Sequence, residues 1–487
     1  MVNSAARKLE KERIDKGDFP KDDISWSSVS LSEILERDNR LEASTFNINR
    51  DHAIQLLKNS KYELALLGTN EFGFKDCFYG PRAKRNYLTN IDNTSIGFLG
   101  SSEMLDIFPN PVKFVSPDNP MINSLSLTEE TILISRSGTI GNITFVNKSL
   151  SKFLVSEHAI RLVMNEFPGF VYTYLKTDVA QNLLHAEKFG SVILEIEPEA
   201  IKNMLIPNPP VLIKQKIHDL IIDSYCKRDE SNDLINEATR ILIDALELPP
   251  MDDMEKEAFS YSEEISSFPV KLSELNGRLE GNYYTTVVPV IEKYLSKNAE
   301  LFRLRDKKIT DRIILAGVFK RNYVQKGQGY PFIGGKEITQ LSPKTDKYLS
   351  YITHKKRYEK ELRVKENWIL VTDRGTIGKV VIVPKHMENM AISQNVLKIA
   401  PKIYPGYIYC FLNSDYGQLL IKRQSYGSVV NMIDNSCMGD VQVPILKNRK
   451  IVEKIDSLVL KANELRYEAY KQEQKAINIM NNDVLGL

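Results

Sequence analysis

The sequence predicts an α+β protein: two tandem mixed α/β units, each followed by a long helix, with the two helices pairing as an antiparallel coiled coil. Three observations carry this. Leu133-Ile134-Ser135-Arg136-Ser137-Gly138-Thr139-Ile140-Gly141 is answered, 237 positions on, by Leu370-Val371-Thr372-Asp373-Arg374-Gly375-Thr376-Ile377-Gly378. The stretches around these repeats align without a gap over 75 positions, Leu370 to Pro444, of which roughly twenty are identical. Each half then closes on a glycine- and proline-free run with apolar residues at heptad spacing. A repeat at a fixed offset means one structural programme used twice, and it sets the fold before any single element is judged.

Residues 1–21 are charged and lack an apolar core, so they read as a flexible leader and not as a signal peptide. The first unit spans 22–210. Ile24 to Leu35 reads as a short strand and turn into Arg40-Leu41-Glu42-Ala43-Ser44, and Asp51 to Lys58 as a helix. Lys84-Arg85-Asn86-Tyr87 precedes Ile96-Gly97-Phe98-Leu99-Gly100, a strand with a turn. Pro109, Pro111, Pro117 and Pro120 mark loops. Around Gly138-Thr139-Ile140-Gly141 the apolar runs on both sides predict a hairpin, with glycine where the backbone needs positive φ or close approach. Ser156 to Val163 reads as a strand and Phe170 to about Glu187 as one helix. Gly190-Ser191-Val192 and Ile206-Pro207-Asn208-Pro209-Pro210 end the unit.

The first long helix occupies 211–248. Ile217, Ile221, Ser224, Arg228, Ser231, Ile235, Ala238, Leu242 and Ala245 fall at alternating spacings of four and three, a seam with apolar ends and a polar middle. At ~1.5 Å per residue the run from Val211 to Leu246 spans on the order of 54 Å. The polar middle either fixes the register or holds the helices locally apart. Pro249-Pro250 stops the helix, and the acidic stretch with Asp252, Asp253, Glu255 and Glu257 makes 249–263 a linker.

The second unit spans 264–446 and restarts the programme. Arg278-Leu279-Glu280-Gly281, Lys320-Arg321-Asn322-Tyr323 and Tyr330-Pro331-Phe332-Ile333-Gly334 answer their counterparts in the first. Residues 447–487 form the second long helix, with a seam through Ile451, Ile455, Leu458, Ala462, Leu465, Ala469, Gln472, Ala476 and Ile479. Two seamed helices in one chain bury their stripes best on each other; the alternative is that each packs on its own unit.

Composition excludes several classes. Apolar content is 42% and charged content 26%, as in ordinary folded proteins. The net charge of +2 announces no polyanion partner in bulk, so any basic surface is local. Cys77, Cys226, Cys410 and Cys437 are scattered without a CxxC, which indicates a reducing compartment. No apolar run approaches a membrane span.

Catalytic signatures are missing. There is no G-x-x-x-x-G-K-[ST] loop: Gly329 to Lys336 has the wrong spacing. No G-x-S-x-G elbow, HExxH or Cys/His cluster occurs. His158 is replaced by Asn395 in the second copy. Asn208-Pro209-Pro210 resembles the motif of amino-methyltransferases, but Val211 stands where an aromatic ring should stack on the flipped base. Glu195 and Glu197 share one face of an expected strand without a supporting base or metal cluster.

What is repeated is basic and aromatic. Arg82, Lys84, Arg85, Asn86 and Tyr87 in the first unit are matched by Lys320, Arg321, Asn322, Tyr323 and Lys326 in the second. Arg136 and Arg374 flank the G-T-I-G turns. Lys188, and Lys422 with Arg423, precede the G-S-V segments, and the second unit adds His354-Lys355-Lys356-Arg357-Tyr358. Arginine reads guanine edges, asparagine reads adenine, and lysine and tyrosine hold phosphate. Each of these residues is individually also an ordinary surface charge; the recurrence of K-R-N-Y points to function or to a shared structural role. Two basic units on a rigid spacer make a divider able to span two half-sites about 34 Å apart.

This pattern resembles the specificity (S) subunit of type I restriction–modification systems, HsdS. The residues that carry it are Lys84 to Tyr87 with Phe98 to Gly100, Gly138 to Gly141, Phe189 to Val192, Ile206 to Gln215, Tyr330 to Ile333, Gly375 to Gly378, and Val443-Pro444. The second copy departs from it at Leu446 to Lys450, which lacks the proline pair and the glutamine. The resemblance implies that each unit is a target recognition domain reading one half of a bipartite, asymmetric double-stranded DNA site. It implies that the helices pair antiparallel, set the spacer and dock two methyltransferase (M) subunits, and that restriction (R) subunits join. The chain would then be a non-catalytic subunit with no cofactor or metal of its own, S-adenosylmethionine belonging to the M subunit and ATP and Mg2+ to the R subunit. It would work in bacterial or archaeal cytoplasm, in phage defence. Its alternatives are a recognition subunit of another methylation-based defence or type II system, a nuclease or methyltransferase in its own right, and an interaction scaffold.

Overall fold

The computed structural model describes residues 29–35, 48–82, 85–89, 91–92, 94–189, 194–259, 268–275, 277–340, 342–427 and 430–487. The expected leader, Arg40 to Ser44, Lys84, and the centres of both G-S-V segments lie outside these residues.

Short, bulky apolar runs build the same sheet twice. In the first unit four strands lie in the order Phe74–Tyr79, Ala159–Met164, Ile132–Ser135, Ile143–Phe145. In the second the order is Thr310–Ile314, Val396–Pro401, Ile369–Thr372, Val380–Ile382. All their pairings are antiparallel. Successive side chains leave opposite faces. Ile132 and Ile134 therefore enter a core with Phe170, Tyr174 and Ile217, while Leu133 between them packs with Leu99 and Val155. The copy repeats this: Ile369 and Val371 face Tyr407 and Val459, and Leu370 faces Ile333 and Ile392. Both faces are covered, which is why these strands are continuous apolar runs.

The second face carries a smaller sheet, Lys113–Val115, Ile96–Leu99, Leu154–Val155 in the first unit. Its counterpart is Tyr323–Val324, Tyr348–Ser350, Gly329–Ile333, Ala391–Ile392. Two-stranded ribbons, Leu64–Leu66 with Leu205–Pro207 and Ala299–Arg303 with Gln442–Leu446, tie the start of each unit to its end.

Three local expectations change. The single helix expected from Phe170 is two, Pro168–Leu175 and Asp178–Ala186, because Thr177 leaves the helical conformation and its Oγ1 accepts from Ala180 N at 3.3 Å. Ser414 repeats that cap between Pro405–Asn413 and Asp415–Arg423. Met251–Ala258 is helical where a linker was expected: Pro250 directly precedes its first turn, and Met254 is buried in the second unit's core. Leu31–Leu35 is a short helix, not a strand.

The central helix, Val211–Leu246, and the C-terminal helix, Arg449–Ile479, pack along each other antiparallel. Ile217 and Ile221 share a core with Ala476 and Met480, whereas Ile235 and Leu242 share one with Val452 and Val459. The central helix buries its expected seam except Ala245, which is partly covered. In the C-terminal helix one column is as expected, Ile455, Ala462, Ala469 and Ala476; the other shifts by one residue to Val452, Val459, Arg466, Glu473 and Met480. Apolar counting favoured Leu458 and Leu465. Arg466 and Glu473 displace that choice because each finds partners inside: Arg466 Nε donates to Ser231 Oγ at 2.8 Å. The polar middle thus joins the helices, and Ser224 Oγ donates to Ala469 O at 2.8 Å.

Candidate nucleic-acid interface

The two G-T-I-G turns are structural hinges. Ser135 Oγ donates to Thr139 O, and Thr372 Oγ1 to Thr376 O, each at 2.5 Å. Gly141 and Gly378 have φ of +82° and +87°. The carboxamide of Gln181 donates to Gly141 O at 3.0 Å and to Leu175 O at 2.8 Å; Gln418 does the same for Gly378 O and Leu412 O. The glutamine clamp ties the hairpin to the helix that follows it.

Arg136, expected beside the turn as a DNA contact, is placed in the interior. It is 5% exposed, and its guanidinium meets Glu195 at 2.8 Å, Glu197 at 2.6 Å and the Tyr79 ring at 4.2 Å. Burial disfavours its charge, but those carboxylates outweigh it and raise its pKa. In the repeat register Arg136 corresponds to Asp373, not to Arg374. Arg374 is exposed and grips Asp373 at 3.0 Å. Arg423 is also committed internally, donating to Tyr283 O and pairing with Glu292, both at 3.0 Å. Lys188 is half-buried, and burial lowers its pKa.

The other described cations expected as DNA contacts lie on the segments that flank the strands of the smaller sheets. In the first unit Arg82 is exposed with a 3.4 Å contact to Glu195. Arg85 pairs with Glu157 and lies over the Phe98 ring at 5.0 Å. Asn86 is exposed, and Tyr87 packs edge-on to Phe98 at 5.8 Å. In the second unit Lys320, Arg321, Asn322, Tyr323, Lys355 and Lys356 are all exposed. Arg321 covers Phe332 at 5.3 Å; Arg357 pairs with Glu361 at 2.6 Å. The structure thus brings Lys320 to Tyr323 and His354 to Arg357 together: Asn322 N donates to His354 Nε2 at 3.0 Å.

Sequence reasoning missed the contacts that fix one unit against the other. Lys379 of the second unit pairs with Asp106 of the first at 3.0 Å, and Ile107 N donates to Thr339 O at 2.9 Å. Lys344 Nζ reaches Lys176 O at 2.9 Å, and Ser342 Oγ of the second unit meets Glu473 of the C-terminal helix at 2.6 Å. None of these residues belongs to a repeated motif, so no pattern exposed them.

Among the described residues no group of three His, Cys, Asp or Glu side chains is placed to hold a metal ion. Among them, too, no helix is long and apolar enough to cross a membrane.

The fold is one α/β unit used twice on an antiparallel helix pair, with cations exposed on each unit. Residues 115–240 and 306–473 match the model of the type I restriction modification DNA specificity domain, and these ranges make up more than half of the chain. The chain belongs to that family of non-catalytic specificity subunits. No curated protein matches it. Among solved structures it is similar to the type I restriction-modification S subunit from M. genitalium, at 12% identity and TM-score 0.32, covering 88% of this chain and 96% of that one. It is similar also to the HsdS subunit from Thermoanaerobacter tengcongensis, at 16% identity and TM-score 0.25, covering 81% and 91%.

Proposed function

We propose that this chain is the recognition subunit of a type I restriction–modification complex, in which each α/β unit reads one half of a bipartite, asymmetric DNA site. One observation carries the reading: the two units are the same fold with different outer loops, held at the two ends of one antiparallel helix pair. Related but non-identical readers on a fixed spacer suit two different half-sites. The exposed cations Arg82, Lys320, Arg321, Lys355 and Lys356 hold the phosphates. Arg136 and Arg423 shape the units from within. The helix pair sets the spacer and docks two M subunits, which bind S-adenosylmethionine and methylate adenine. R subunits that use ATP and Mg2+ complete the complex, in bacterial or archaeal cytoplasm. Exchanging residues 264–446 for the same unit of another such chain tests the division of labour. The reading predicts a change in one half of the methylated site only; a change in both halves contradicts it.

A further inference from the structure

We propose that the second unit reads a thymine methyl group through Ile352, carried at the tip of a short helix on its cationic loops. This rests on the reading of the unit as a half-site reader.

The strand Tyr348–Ser350 pairs with Tyr323–Val324 and runs straight into the helix Tyr351–Arg357, which continues as a wider turn to Leu362. Ser350 Oγ caps it, accepting from Thr353 N at 3.3 Å. The helix is anchored on its inner side. Tyr330 stacks on Tyr358 at 3.6 Å and meets Tyr351 edge-on at 4.6 Å. His354 is buried against Phe319 at 5.4 Å, and Arg357 covers the same ring at 4.8 Å.

On this fixed support Ile352 is 93% exposed, and Val318, Tyr323 and Tyr351 nearby are also exposed. An isoleucine so placed contributes nothing to the core. Its surroundings are net cationic and suit a polyanion: residues 311–337 hold five cations against two carboxylates, and residues 346–361 five against three. The major groove admits an α-helix, and the thymine methyl is the apolar feature on its base edges. A helix presenting its N-terminal residues to base edges is a known docking geometry, and Lys355 and Lys356 follow Ile352 by three and four residues. Among the described residues the first unit has no counterpart. Its strand Lys113–Val115 leads to the short helix Ile122–Leu125, whose Leu125 is buried. The two units therefore read their half-sites with different devices.

The test uses the full chain assembled with its methyltransferase subunits and duplexes carrying its methylated site. Each thymine of the second half-site is replaced in turn by deoxyuridine, which lacks only the methyl. One position should lose about 4-fold in affinity, the value of one buried methyl group. Ile352→Ala should lose a similar factor and be indifferent to deoxyuridine at that position. Ile352→Ala that binds like the parent with the deoxyuridine penalty intact overturns the proposal. So does a variant that loses methyltransferase subunits and not DNA affinity, which would make the patch a protein contact. If the parent complex shows no bipartite preference, the half-site reading itself falls and this proposal with it.

Discussion

Arg228 of the central helix and Glu473 of the C-terminal helix meet at 2.8 Å inside the protein, where the Glu473 side chain has no exposure. Lys176 of the first unit reaches the same carboxylate at 3.1 Å, Tyr172 Oη donates to it at 2.6 Å, and Ser342 of the second unit also at 2.6 Å. One carboxylate thus joins both helices and both units. Burial opposes its ionisation, yet Lys176, Arg228, Ser342 and Tyr172 outweigh burial and hold it well below the ordinary carboxylate range.

Replacing Glu473 by Gln leaves two buried cations unpaired and should cost about 3–5 kcal/mol in denaturant unfolding. The pH dependence follows from the sign. A depressed folded pKa gives stability that is present above the unfolded value of about 4.3 and is lost as pH falls towards the folded one. The parent should lose stability below about pH 4.3, and Glu473→Gln should lack that component. Equal acid sensitivity in both proteins contradicts the role given to this carboxylate.

Lys398 and Arg161 occupy equivalent buried positions in the two units. Lys398 Nζ donates to Ser393 O at 3.2 Å and Val396 O at 3.1 Å; Arg161 donates to Ala159 O at 3.0 Å and Val155 O at 2.5 Å. Burial lowers the Lys398 pKa to about 7. The unfolded chain then binds more protons than the folded one between that value and about 10.4. Stability should accordingly rise with pH across this window, by at most about 1.4 kcal/mol per unit. The difference between parent and Lys398→Met unfolding free energies should show that slope; a difference constant in pH rejects it.

Gly375 and Gly378 separate two costs in one turn. Both have positive φ, but a Cβ at Gly375 meets open space, whereas one at Gly378 comes within 2.9 Å of Gln418 Oε1. Gly375→Ala should cost about 1–2 kcal/mol from backbone conformation alone. Gly378→Ala should cost about 1 kcal/mol more through the disturbed glutamine clamp. Equal melting shifts would show that the clamp contributes nothing.

Exposed and internal cations should separate by salt. Lys355→Ala with Lys356→Ala should reduce the slope of log affinity against log salt by about 2, with folding stability intact. Arg136→Ala and Arg423→Ala should lower stability and leave the slope unchanged. The reverse pattern contradicts the placement of the interface on the outer loops.

Duplication made most of the fold legible. Gly138 and Gly375 gave the register, and the apolar columns through Ile217 and Ile455 gave the long helices. Capping was readable but unread: Thr177-Asp178 and Ser414-Asp415 each place a side-chain acceptor where a helix starts anew. The shifted column through Arg466 and Glu473 was hidden because burial of a charge depends on partners that lie far away in the chain. For the same reason Arg136 and Arg374 looked alike in sequence: only the fold shows the first enclosed by Glu195 and Glu197. Ile352 gave no signal, since exposure of an apolar residue is a property of packing and not of pattern.

The central claim is that two different readers act on one DNA at a fixed separation. Sequencing the methylated positions in cells that express this chain with its methyltransferase subunits tests it most directly. The account predicts a split motif, two short unlike segments separated by a spacer of fixed length and any sequence. A single continuous motif, or no motif, would contradict it.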